Sequence, residues 1–328
     1  MRTPEFWTQS GAGARALSLL LSPLGALYGF SVRVRKATAH PYRPKARVVC
    51  VGNLTAGGTG KTPVAIAIGR MLTACGKKIA FLSRGYGGSI SGPLIVDPNS
   101  HTAQEVGDEP LLLASTATAI VSRDRAEGAR LADSLGVDVI VMDDGFQNFQ
   151  IAKDLSLIVV NAASGFGNGR LIPAGPLRER VSDGLARADA IVLMGHGDPK
   201  IPFSGPVLRA RAVPLSPEVL QERAVFAFAG IGHPERFGDL LKASGARVMD
   251  MRTFADHHAF SVHEISELRQ AAERLNAQLV TTEKDYVRLE PAQRAGIVPI
   301  PVKAEFDDKI VTDALLDRLA SERKDGSA

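Results

Sequence analysis

The sequence predicts an α/β protein with a mostly parallel sheet, and three observations support this prediction. Short continuous runs of Val, Ile and Leu alternate with amphipathic stretches from Val48 onward, as is typical of strands that helices cover on both faces. The first run leads into a glycine-rich loop that a helical stretch follows. A second, shorter series of runs begins near residue 205. We therefore expect a larger parallel-sheet domain, a second, smaller α/β domain and an N-terminal apolar and basic helical segment.

The elements of the larger domain are predicted within residues 37–204. Its predicted strands are Arg47–Val51, Ile79–Leu82, Ala119–Ser122, Val137–Met142, Leu155–Val160 and Ala190–Met194. Its predicted helices include Val64–Thr73 and Ala126–Leu135. The alternation of strands and helices indicates crossover connections, which join parallel strands.

The smaller domain is predicted within residues 205–328, after a proline-containing connection at Pro202–Pro217. Its predicted strands are Val225–Ala229, Arg247–Met251, Gln278–Thr281 and Val298–Val302, and its predicted helices are Pro234–Ala243 and His263–Leu275. The polar tail from Ser321 is expected to fray.

Length and composition indicate a globular protein without a disulfide or zinc framework. The chain has 328 residues, which is enough for two domains with their own cores. Its hydrophobic fraction of 45% and charged fraction of 23% are ordinary for globular proteins. Cys50 and Cys75 lie outside any CxxC or Cys/His cluster. We expect both to be small buried side chains in a reducing compartment.

Positive charge is concentrated at the N-terminus. The chain has 39 basic and 35 acidic residues, and eight of the basic residues but one of the acidic residues lie within 1–50, so the remainder has a net charge of −3. This distribution indicates that one end of the molecule meets an anionic surface. A body of net negative charge with 5% aromatic residues disfavours nucleic acid as a partner.

The apolar segment Ala14–Phe30 precedes three closely spaced basic residues, Arg33, Arg35 and Lys36. It is shorter than the roughly 20 residues of a typical membrane span, and a proline and two glycines interrupt it. A signal peptide would carry its charges before the apolar run. We predict that residues 1–36 form a partly helical, membrane-associating segment with the basic side chains on anionic lipid. A core helix packed on the body is the alternative.

The strongest chemical signal is the loop Thr55-Ala56-Gly57-Gly58-Thr59-Gly60-Lys61-Thr62, between a predicted strand and a predicted helix. Glycines let backbone N–H groups converge on a phosphate, and the helix N-terminus adds its positive end. We expect Lys61 to reach the terminal phosphates and the Thr62 hydroxyl to bind Mg²⁺. Thr55 stands where the usual pattern has its first glycine, and Gly57 and Gly58 are expected to supply the flexibility. The loop predicts a P-loop NTPase-type domain.

Two pairs of acidic residues are candidates for handling the magnesium ion. Asp143 and Asp144 follow the predicted strand Val137–Met142, at the edge where open parallel sheets bind ligands. Adjacent carboxylates are costly there without a nearby cation. Asp108 and Glu109 precede a helical run. They are either carboxylates that the helix dipole favours or a metal ligand and a catalytic base.

Asp256-His257-His258 contains the only adjacent histidines of the chain. No third ligand is spaced to complete a metal site, so a polar loop is one interpretation. A histidine that a carboxylate orients is the other, because it can help to deprotonate an acceptor hydroxyl.

Several strings of the sequence together resemble one family. They are VGNLTAGGTGKTP (51–63), LSRGYGG (82–88), VGDEP (106–110), MDDGFQ (142–147), LIPAGPLRE (171–179), FADHH (254–258) and TTEKD (281–285). The chain resembles the tetraacyldisaccharide 4′-kinases, which phosphorylate the disaccharide precursor of lipid A with ATP and Mg²⁺. The resemblance covers nearly the whole chain, including the apolar N-terminal segment.

The resemblance implies roles for the matching residues. Lys61 and Thr62 would hold the phosphates and the metal, and Asp108 would activate the sugar hydroxyl with a histidine of the DHH string. His258 is slightly favoured over His257. Support of Mg²⁺ is implied for Glu109, Asp143 and Asp144. Contacts with the acceptor or around the nucleotide cleft are implied for Asn53, Ser83, Arg84, Gln147, Arg178 and Glu179.

Two positions depart from the family pattern. The string DDGFQ usually continues with histidine, and this chain has Asn148. Asparagine forms hydrogen bonds but carries no titratable proton at neutral pH, so a positioning role is the one that remains. The proline that usually follows Phe254 is Ala255 here, a change that we expect to be minor.

The leading hypothesis is therefore a lipid kinase at the cytoplasmic face of the bacterial inner membrane, peripheral or monotopic. Its expected partners are the acylated disaccharide lipid and an anionic membrane surface, without an obligate protein partner. Two hypotheses compete with it. A P-loop regulatory or chaperone NTPase acting on a protein partner leaves the apolar N-terminus unexplained. A P-loop protein acting on nucleic acid needs a basic groove that the net charge of the body disfavours.

Overall fold

The computed structural model describes residues 4–8, 11–317 and 319, and the thirteen strands within them form two sheets. Arg2, one of the N-terminal basic residues, and the tail from Ser321 lie outside the described residues. In chain order the strands are β1 (Arg47–Gly52), β2 (Ile79–Ser83), β3 (Leu94–Ile95), β4 (Ala119–Val121), β5 (Val139–Asp143), β6 (Leu155–Asn161), β7 (Ala190–Met194), β8 (Val207–Pro214), β9 (Ala224–Ala229), β10 (Arg247–Thr253), β11 (Gln278–Thr282), β12 (Ile297–Ile300) and β13 (Val302–Phe306).

The helices cover both sheets and include one long N-terminal helix. In chain order they are α1 (Ala12–Ala37), α2 (Lys61–Ala74), α3 (Ala103–Val106), α4 (Asp108–Ala114), α5 (Arg125–Ser134), α6 (Val181–Leu185), α7 (Pro234–Ala243), α8 (Val262–Arg274), α9 (Glu283–Tyr286) and α10 (Lys309–Asp317). Side-chain hydrogen bonds fix the N-termini of two of these helices. The Asp124 carboxylate caps α5, and Ser261 and Glu264 form a capping box at α8.

The larger sheet has nine strands in the order β13-β8-β7-β6-β1-β5-β2-β4-β3. Among the described strands, its central members are parallel, and the edge strands β3 and β13 are antiparallel to their neighbours. Strands β2, β5, β6 and β7 are buried along their whole length, as predicted for a sheet covered on both faces. Val51 of β1 is in register with Asp143 of β5, so the loops after these two strands lie side by side.

The smaller sheet has four parallel strands in the order β10-β9-β11-β12. Helix α7 packs on one side through Phe237 and Leu241, and α8 packs on the other through Ile265 and Leu268. We call the nine-stranded sheet with its helices the first body, and the four-stranded sheet with α7, α8 and α9 the second body.

The structure corrects three expectations. The predicted connection Pro202–Pro217 contains strand β8, whose alternating burial is that of a strand near the sheet edge. The predicted strand Val298–Val302 is two strands, and the chain passes between the sheets at Pro301, so that β13 pairs with β8 of the larger sheet. The four-stranded sheet thus occupies a narrower stretch than residues 205–328, and the division into domains stays a prediction. Cys50 is buried as expected, whereas Cys75 is exposed.

Helix α1 is a continuous helix of 26 residues that includes Pro23, where a partly helical segment was predicted. It is the one described helix that is long and apolar enough to cross a membrane by length and composition. Its buried residues, Ser18, Gly25, Gly29 and Val32, face the first body. A Cβ atom added at Gly29 would lie 2.5 Å from Cδ1 of Leu171, so glycine allows this helix to pack closely on the LIPAGPLRE string without displacing the leucine side chain.

Candidate active site

The glycine-rich loop joins the carboxyl end of β1 to the first turn of α2. Gly57 and Gly60 have positive φ angles of 109° and 87°, which side chains with a Cβ rarely adopt. Below them, the buried Asn53 amide donates to the Thr55 carbonyl at 2.6 Å and to the Thr59 hydroxyl at 3.1 Å. The glycines at the tip of the loop are exposed. The loop thus combines a fixed base with an open tip of backbone N–H groups, which suits phosphate binding.

A second chain segment, within the string LIPAGPLRE, holds the loop from the side. The Ala56 N–H donates to the Pro176 carbonyl at 2.8 Å. Thr55 forms an antiparallel bridge with Leu177. Thr55, at the position of the usual first glycine, is therefore part of a short strand pair, and the flexible positions come later in the loop.

Asp144 balances two cations beside the loop. Nζ of Lys61 lies 3.6 Å from its Oδ1, and Nη1 of Arg178 donates to both carboxylate oxygens at 2.8 and 2.9 Å. Burial favours the neutral carboxyl, but Lys61 and Arg178 outweigh it and lower the pKa of Asp144 to about 2. Its φ of 52° is unusual for a non-glycine residue and is imposed by the surrounding structure. The ionised carboxylate thus fixes Lys61 and Arg178 next to the phosphate-binding loop.

Asp143, the last residue of β5, faces Thr62 at the start of α2. The Thr62 hydroxyl donates to Oδ2 of Asp143 at 2.9 Å. The other carboxylate oxygen, Oδ1, is buried and has no hydrogen-bond partner among the described residues. Burial and the nearby carboxylates of Glu109 and Asp144 raise the pKa of Asp143, although Lys61 opposes them. A buried carboxylate that has one oxygen without a hydrogen-bond partner and two other carboxylates nearby is a fitting ligand for a divalent cation.

The four predicted magnesium ligands are not equivalent in the structure. No group of three or more His, Cys, Asp or Glu side chains among the described residues is arranged for a metal ion. A Mg²⁺ site at a P-loop needs fewer protein ligands, because phosphates and water complete its coordination. Asp144 is paired with Lys61 and Arg178, and Oε1 of Glu109 lies 3.1 Å from Nζ of Lys284. Thr62 and Asp143 therefore fit the requirements of Mg²⁺ best.

Asp108 lies at the start of α4 and contacts the second body. Its Oδ2 is 3.1 Å from Nδ1 of His257, and its side chain is 4% exposed. His257 has a φ of 59°, a strained backbone conformation that is common at functional sites. Burial favours the protonated carboxyl, but the hydrogen bond with His257 and the charges of Lys284 and Arg288 hold the pKa of Asp108 well below its usual range. The result is an ionised carboxylate that orients an imidazole, the arrangement of a general base.

The structure brings His257, and not the slightly favoured His258, to Asp108. His258 points the other way. Its Nε2 is 3.0 Å from Oε1 of Glu264, its ring stacks on Phe254 with centroids 4.9 Å apart, and Phe260 packs edge-on against it. The geometry thus favours His257 over His258 as the partner of Asp108, because the His258 side chain is bonded to Glu264 in the first turn of α8. The catalytic role of either histidine stays a prediction.

Arg288 was missed in the sequence, yet it connects the two bodies. Its Nε donates to Oδ2 of Asp108 at 2.9 Å, and its Nη1 donates to the Gly230 carbonyl at 2.9 Å and to Oδ1 of Asp285 at 2.8 Å. The Gly230 carbonyl also accepts from the His257 N–H at 3.1 Å. One buried guanidinium therefore holds both Asp108 and the loop that carries His257. The available signal was the string TTEKD, three residues before Arg288, to which no role had been given.

The remaining predicted site residues mostly support the loop from below. Gln147 Nε2 donates to the Asn53 carbonyl and to Oε1 of Glu179, both at 2.9 Å. Glu179 is buried and pairs with Arg187 at 2.9 Å, a second residue that the sequence analysis missed. These groups form a hydrogen-bond network that supports Asn53 and, through it, the glycine-rich loop.

The other residues lie farther along the same edge of the sheet. Ser83 is buried at the end of β2, where its hydroxyl accepts from the Gly85 N–H at 3.5 Å, and Arg84 is exposed. Asn148 Nδ2 donates to Oε1 of Gln150 at 2.9 Å, so Asn148 orders its own turn.

The second body also touches the phosphate-binding loop directly. Nη1 of Arg236, in the first turn of α7, is 3.4 Å from the Gly58 carbonyl. Together with the contacts of Asp108 and Glu109, this contact closes the second body over the carboxyl edge of the larger sheet. The arrangement can hold a nucleotide on one side and a general base on the other.

Comparison with known proteins gives consistent results. A family model described as tetraacyldisaccharide-1-P 4′-kinase matches residues 17–320. The chain is 49% identical to the tetraacyldisaccharide 4′-kinase of Rhodospirillum rubrum, over 97% of this chain and 98% of that protein. It is also 49% identical to the enzyme of that name from Paramagnetospirillum magneticum, over 97% and 99% of the two chains.

One solved structure is similar over nearly its whole length. It is the crystal structure of LpxK from Aquifex aeolicus in complex with ATP, with a TM-score of 0.75 and 28% sequence identity. The match covers 92% of this chain and 99% of that chain. The similarity therefore extends across both bodies.

Proposed function

The chain belongs to the tetraacyldisaccharide-1-P 4′-kinase family, and on this premise we propose roles for its residues in the reaction. The activity is ATP-dependent phosphoryl transfer, with Mg²⁺, to the 4′-hydroxyl of an acylated disaccharide 1-phosphate, a lipid A precursor. Membership of this family replaces the alternative of a regulatory or chaperone NTPase. The observation that carries the proposed mechanism is the contact between Asp108 and His257, 3.1 Å across the two bodies.

On the donor side, the chain positions the triphosphate and balances its charge. The backbone N–H groups of Gly57 to Thr62 and the N-terminus of α2 receive the phosphates, because the Ala56 N–H is already bonded to Pro176 and Thr55 is bridged to Leu177. Lys61 neutralises the terminal phosphates. Thr62 and Asp143 would hold Mg²⁺, which supplies positive charge to the phosphate oxygens when bound. Glu109 and Asp144 act from farther away, as counter-charges for Lys284 and Lys61.

On the acceptor side, His257 removes the proton of the 4′-hydroxyl. We assign the Nδ1 proton of His257 to the contact with Asp108, so that Nε2 carries the lone pair that accepts this proton. The hydroxyl oxygen forms a bond with the γ-phosphorus while the bond from that phosphorus to the bridging oxygen of ATP breaks, which leaves ADP and the phosphate monoester. Asp108 keeps its charge throughout and stabilises the imidazolium.

Closure of the second body over the first supports this division of labour. The contacts of Arg236 with Gly58 and of Lys284 with Glu109 lie on the same edge as the Asp108–His257 pair. Such closure excludes water, which would otherwise compete with the lipid hydroxyl for the phosphoryl group. We place Arg178, Glu179, Gln147 and Asn53 in the support of the loop and of Lys61, and Ser83 and Arg84 along the acceptor surface.

Helix α1 takes the enzyme to its lipid substrate. One side of the helix packs on the first body, and the other exposes a stripe of large apolar side chains, Leu17, Leu20, Leu24, Leu27, Phe30 and Val34. Their spacing of three or four residues places them on one helix face. We define these six residues as the α1 stripe. A stripe of this kind in water is unfavourable, and at a bilayer its burial is favourable by about 1.5–3 kcal/mol for each large side chain.

The charges around the α1 stripe indicate how it meets the membrane. Arg33, Arg35 and Lys36 lie at its C-terminal end, where anionic headgroups attract them. Because the opposite face of α1 packs on the body, we propose a peripheral or monotopic placement at the cytoplasmic face of the inner membrane. An acylated disaccharide is retained in the bilayer by its chains, so the enzyme acts at that surface without an obligate protein partner or nucleic acid.

A matched pair of histidine variants tests the proposed mechanism. With the lipid disaccharide, ATP and Mg²⁺, His257→Ala is expected to lower kcat by about 10²–10⁴, the usual contribution of a general base. His258→Ala, which changes the neighbouring ring, is expected to stay within about threefold of the wild type. Formation of the 4′-phosphorylated lipid is measured by chromatography of a radiolabelled product. Equal losses in the two variants, or a larger loss in His258→Ala, would contradict the assignment.

A further inference from the structure

Lys284, in the string TTEKD, has no chemical role in the mechanism above beyond its closing contact with Glu109, yet it lies at the centre of the site. It belongs to α9, directly after the carboxyl end of β11 in the second body. Its Nζ is 3.1 Å from Oε1 of Glu109 and 3.9 Å from Oδ2 of Asp108, both in the first body. The side chain is 25% exposed, and its contacts with these two carboxylates place its ammonium group where the two bodies meet.

The two carboxylates that hold Lys284 connect it to both halves of the reaction. Asp108 contacts His257, the proposed general base for the acceptor hydroxyl. The charge of Glu109 acts on Asp143, whose carboxylate accepts the hydrogen bond from Thr62 at the phosphate site. The ammonium group therefore lies between the carboxylate that contacts the proposed general base and a carboxylate whose charge acts on the proposed magnesium ligand Asp143.

The ammonium group also has unused capacity. A lysine carries three N–H donors, and the bond to Glu109 uses one of them. Arg288, rather than Lys284, provides the close counter-charge of Asp108. Burial favours the neutral amine, but Glu109 and Asp108 outweigh it and raise the pKa of Lys284, so the group is cationic at neutral pH.

We propose that Lys284 is a further catalytic residue of the kinase, whose ammonium group donates to the oxygens of the γ-phosphoryl group as that group passes from ATP to the lipid hydroxyl. The proposal rests on the roles given above to Asp108 and His257. Negative charge is spread over the equatorial oxygens in the transition state, and a cation aimed at them in advance stabilises it strongly. Because Lys284 comes from the second body, this contact makes transfer depend on closure.

Three variants of Lys284 and one control test this assignment with the purified full chain. Lys284→Met and Lys284→Gln remove the charge, and kcat for lipid phosphorylation is expected to fall by about 10²–10³. The KM for ATP is expected to stay within about threefold, since the contact strengthens in the transition state. Lys284→Arg keeps the charge and is expected to recover at least about tenfold of the loss. Lys242→Met, on an exposed surface of the second body, is the control and is expected to match the wild type.

A binding measurement separates a catalytic from a structural role. Aluminium fluoride with ADP and Mg²⁺ mimics the transferring phosphoryl group, and calorimetry compares it with ADP and Mg²⁺ alone. Lys284→Gln is expected to bind ADP as the wild type does and to lose about 10²-fold in affinity for the aluminium fluoride complex. Equal losses for the two ligands, or a lowered melting temperature with kcat unchanged, would identify Lys284 as a clamp and overturn the proposal.

The outcomes also distinguish this proposal from the mechanism on which it rests. If the wild type forms the 4′-phosphate and His257→Ala does not, while both Lys284 variants without the charge stay within about threefold of wild-type kcat, the Lys284 assignment alone fails. If His257→Ala is as active as the wild type, the assignment of His257 as the general base is wrong, and so is the mechanism on which the Lys284 proposal rests. Lys284→Gln keeps a hydrogen-bonding partner for Glu109, so it gives a result even if Lys284→Met does not fold.

Discussion

The two sides of the cleft are built in different ways. The phosphate-binding part of the donor side comes from consecutive positions, because the loop follows β1 and leads directly into Lys61 and Thr62, the first two residues of α2. The acceptor side is assembled from residues far apart in the chain: Asp108 contacts Arg288, 180 residues later, and Lys284 contacts Glu109 across 175 residues. A local motif fixes its own geometry, whereas a site between two bodies exists only while they are closed. The donor side is therefore expected to bind nucleotide independently, and the acceptor side to depend on closure.

The largest effect on turnover is expected at Lys61, on the donor side. Lys61→Ala removes the cation beside the terminal phosphates and is expected to lower kcat by about 10³ or more. The fold is expected to persist, since Arg178 still pairs with Asp144 at 2.8 Å. Lys77→Ala, beyond the far end of α2, is the control. Product formation reports turnover, and circular dichroism reports the fold. Near-normal turnover of Lys61→Ala would contradict a role of the loop in phosphoryl transfer.

An intermediate effect is expected at Arg288, which joins the two bodies. Its side chain is 6% exposed and faces Asp108 and Asp285, which are 4% and 0% exposed. Arg288→Met leaves these carboxylates buried without their partner, so the free energy of unfolding is expected to fall by about 3–5 kcal/mol. Turnover is expected to fall by about 10², because Asp108 and the His257 loop lose their common support.

Two measurements distinguish the closed site from the nucleotide-binding loop. Urea denaturation reports the loss of stability of Arg288→Met, and calorimetry with ADP reports the donor side, which is expected to stay within about threefold of the wild type. Arg288→Lys keeps the positive charge but loses the forked N–H donors of the guanidinium. Its stability and turnover are expected to lie between those of the wild type and those of Arg288→Met. If ADP binding falls as much as turnover, the donor side depends on the second body, and the contrast between the two sides does not hold.

The same contrast explains how much of the fold was predictable. The strands of the parallel core were found because each is a short, continuous apolar run, buried on both faces. Strand β8 was missed because it alternates buried and exposed residues among prolines, which favour a loop interpretation. The end of β12 and the start of β13 read as one run, since nothing local marks Pro301 as the point where the chain changes sheets.

The site shows a similar limit of prediction. The residue pattern of the glycine-rich loop indicates phosphate binding by itself, because all of its residues are consecutive in the chain. Lys284 and Arg288 look like ordinary charges near a short helix, and only the packing of the second body buries them against acids of the first. The choice between His257 and His258 depends on a positive φ angle and on the capping box of α8, neither of which a pair of adjacent histidines reveals.

The smallest effect on turnover is expected in the α1 stripe, which lies outside the cleft. Leu20 and Leu24 are 75% and 55% exposed and make no part of the core. Replacing both by Asn is expected to weaken partition into vesicles of anionic phospholipid by on the order of 100-fold, since two buried leucines contribute about 3 kcal/mol. Turnover with substrate in detergent micelles is expected to change less than about threefold, because the cleft is intact. Partition is measured by vesicle flotation, and Leu275→Asn, at an exposed leucine of the second body, is the matched control. If the wild type, the double α1 variant and Leu275→Asn float equally, α1 does not bind the lipid surface.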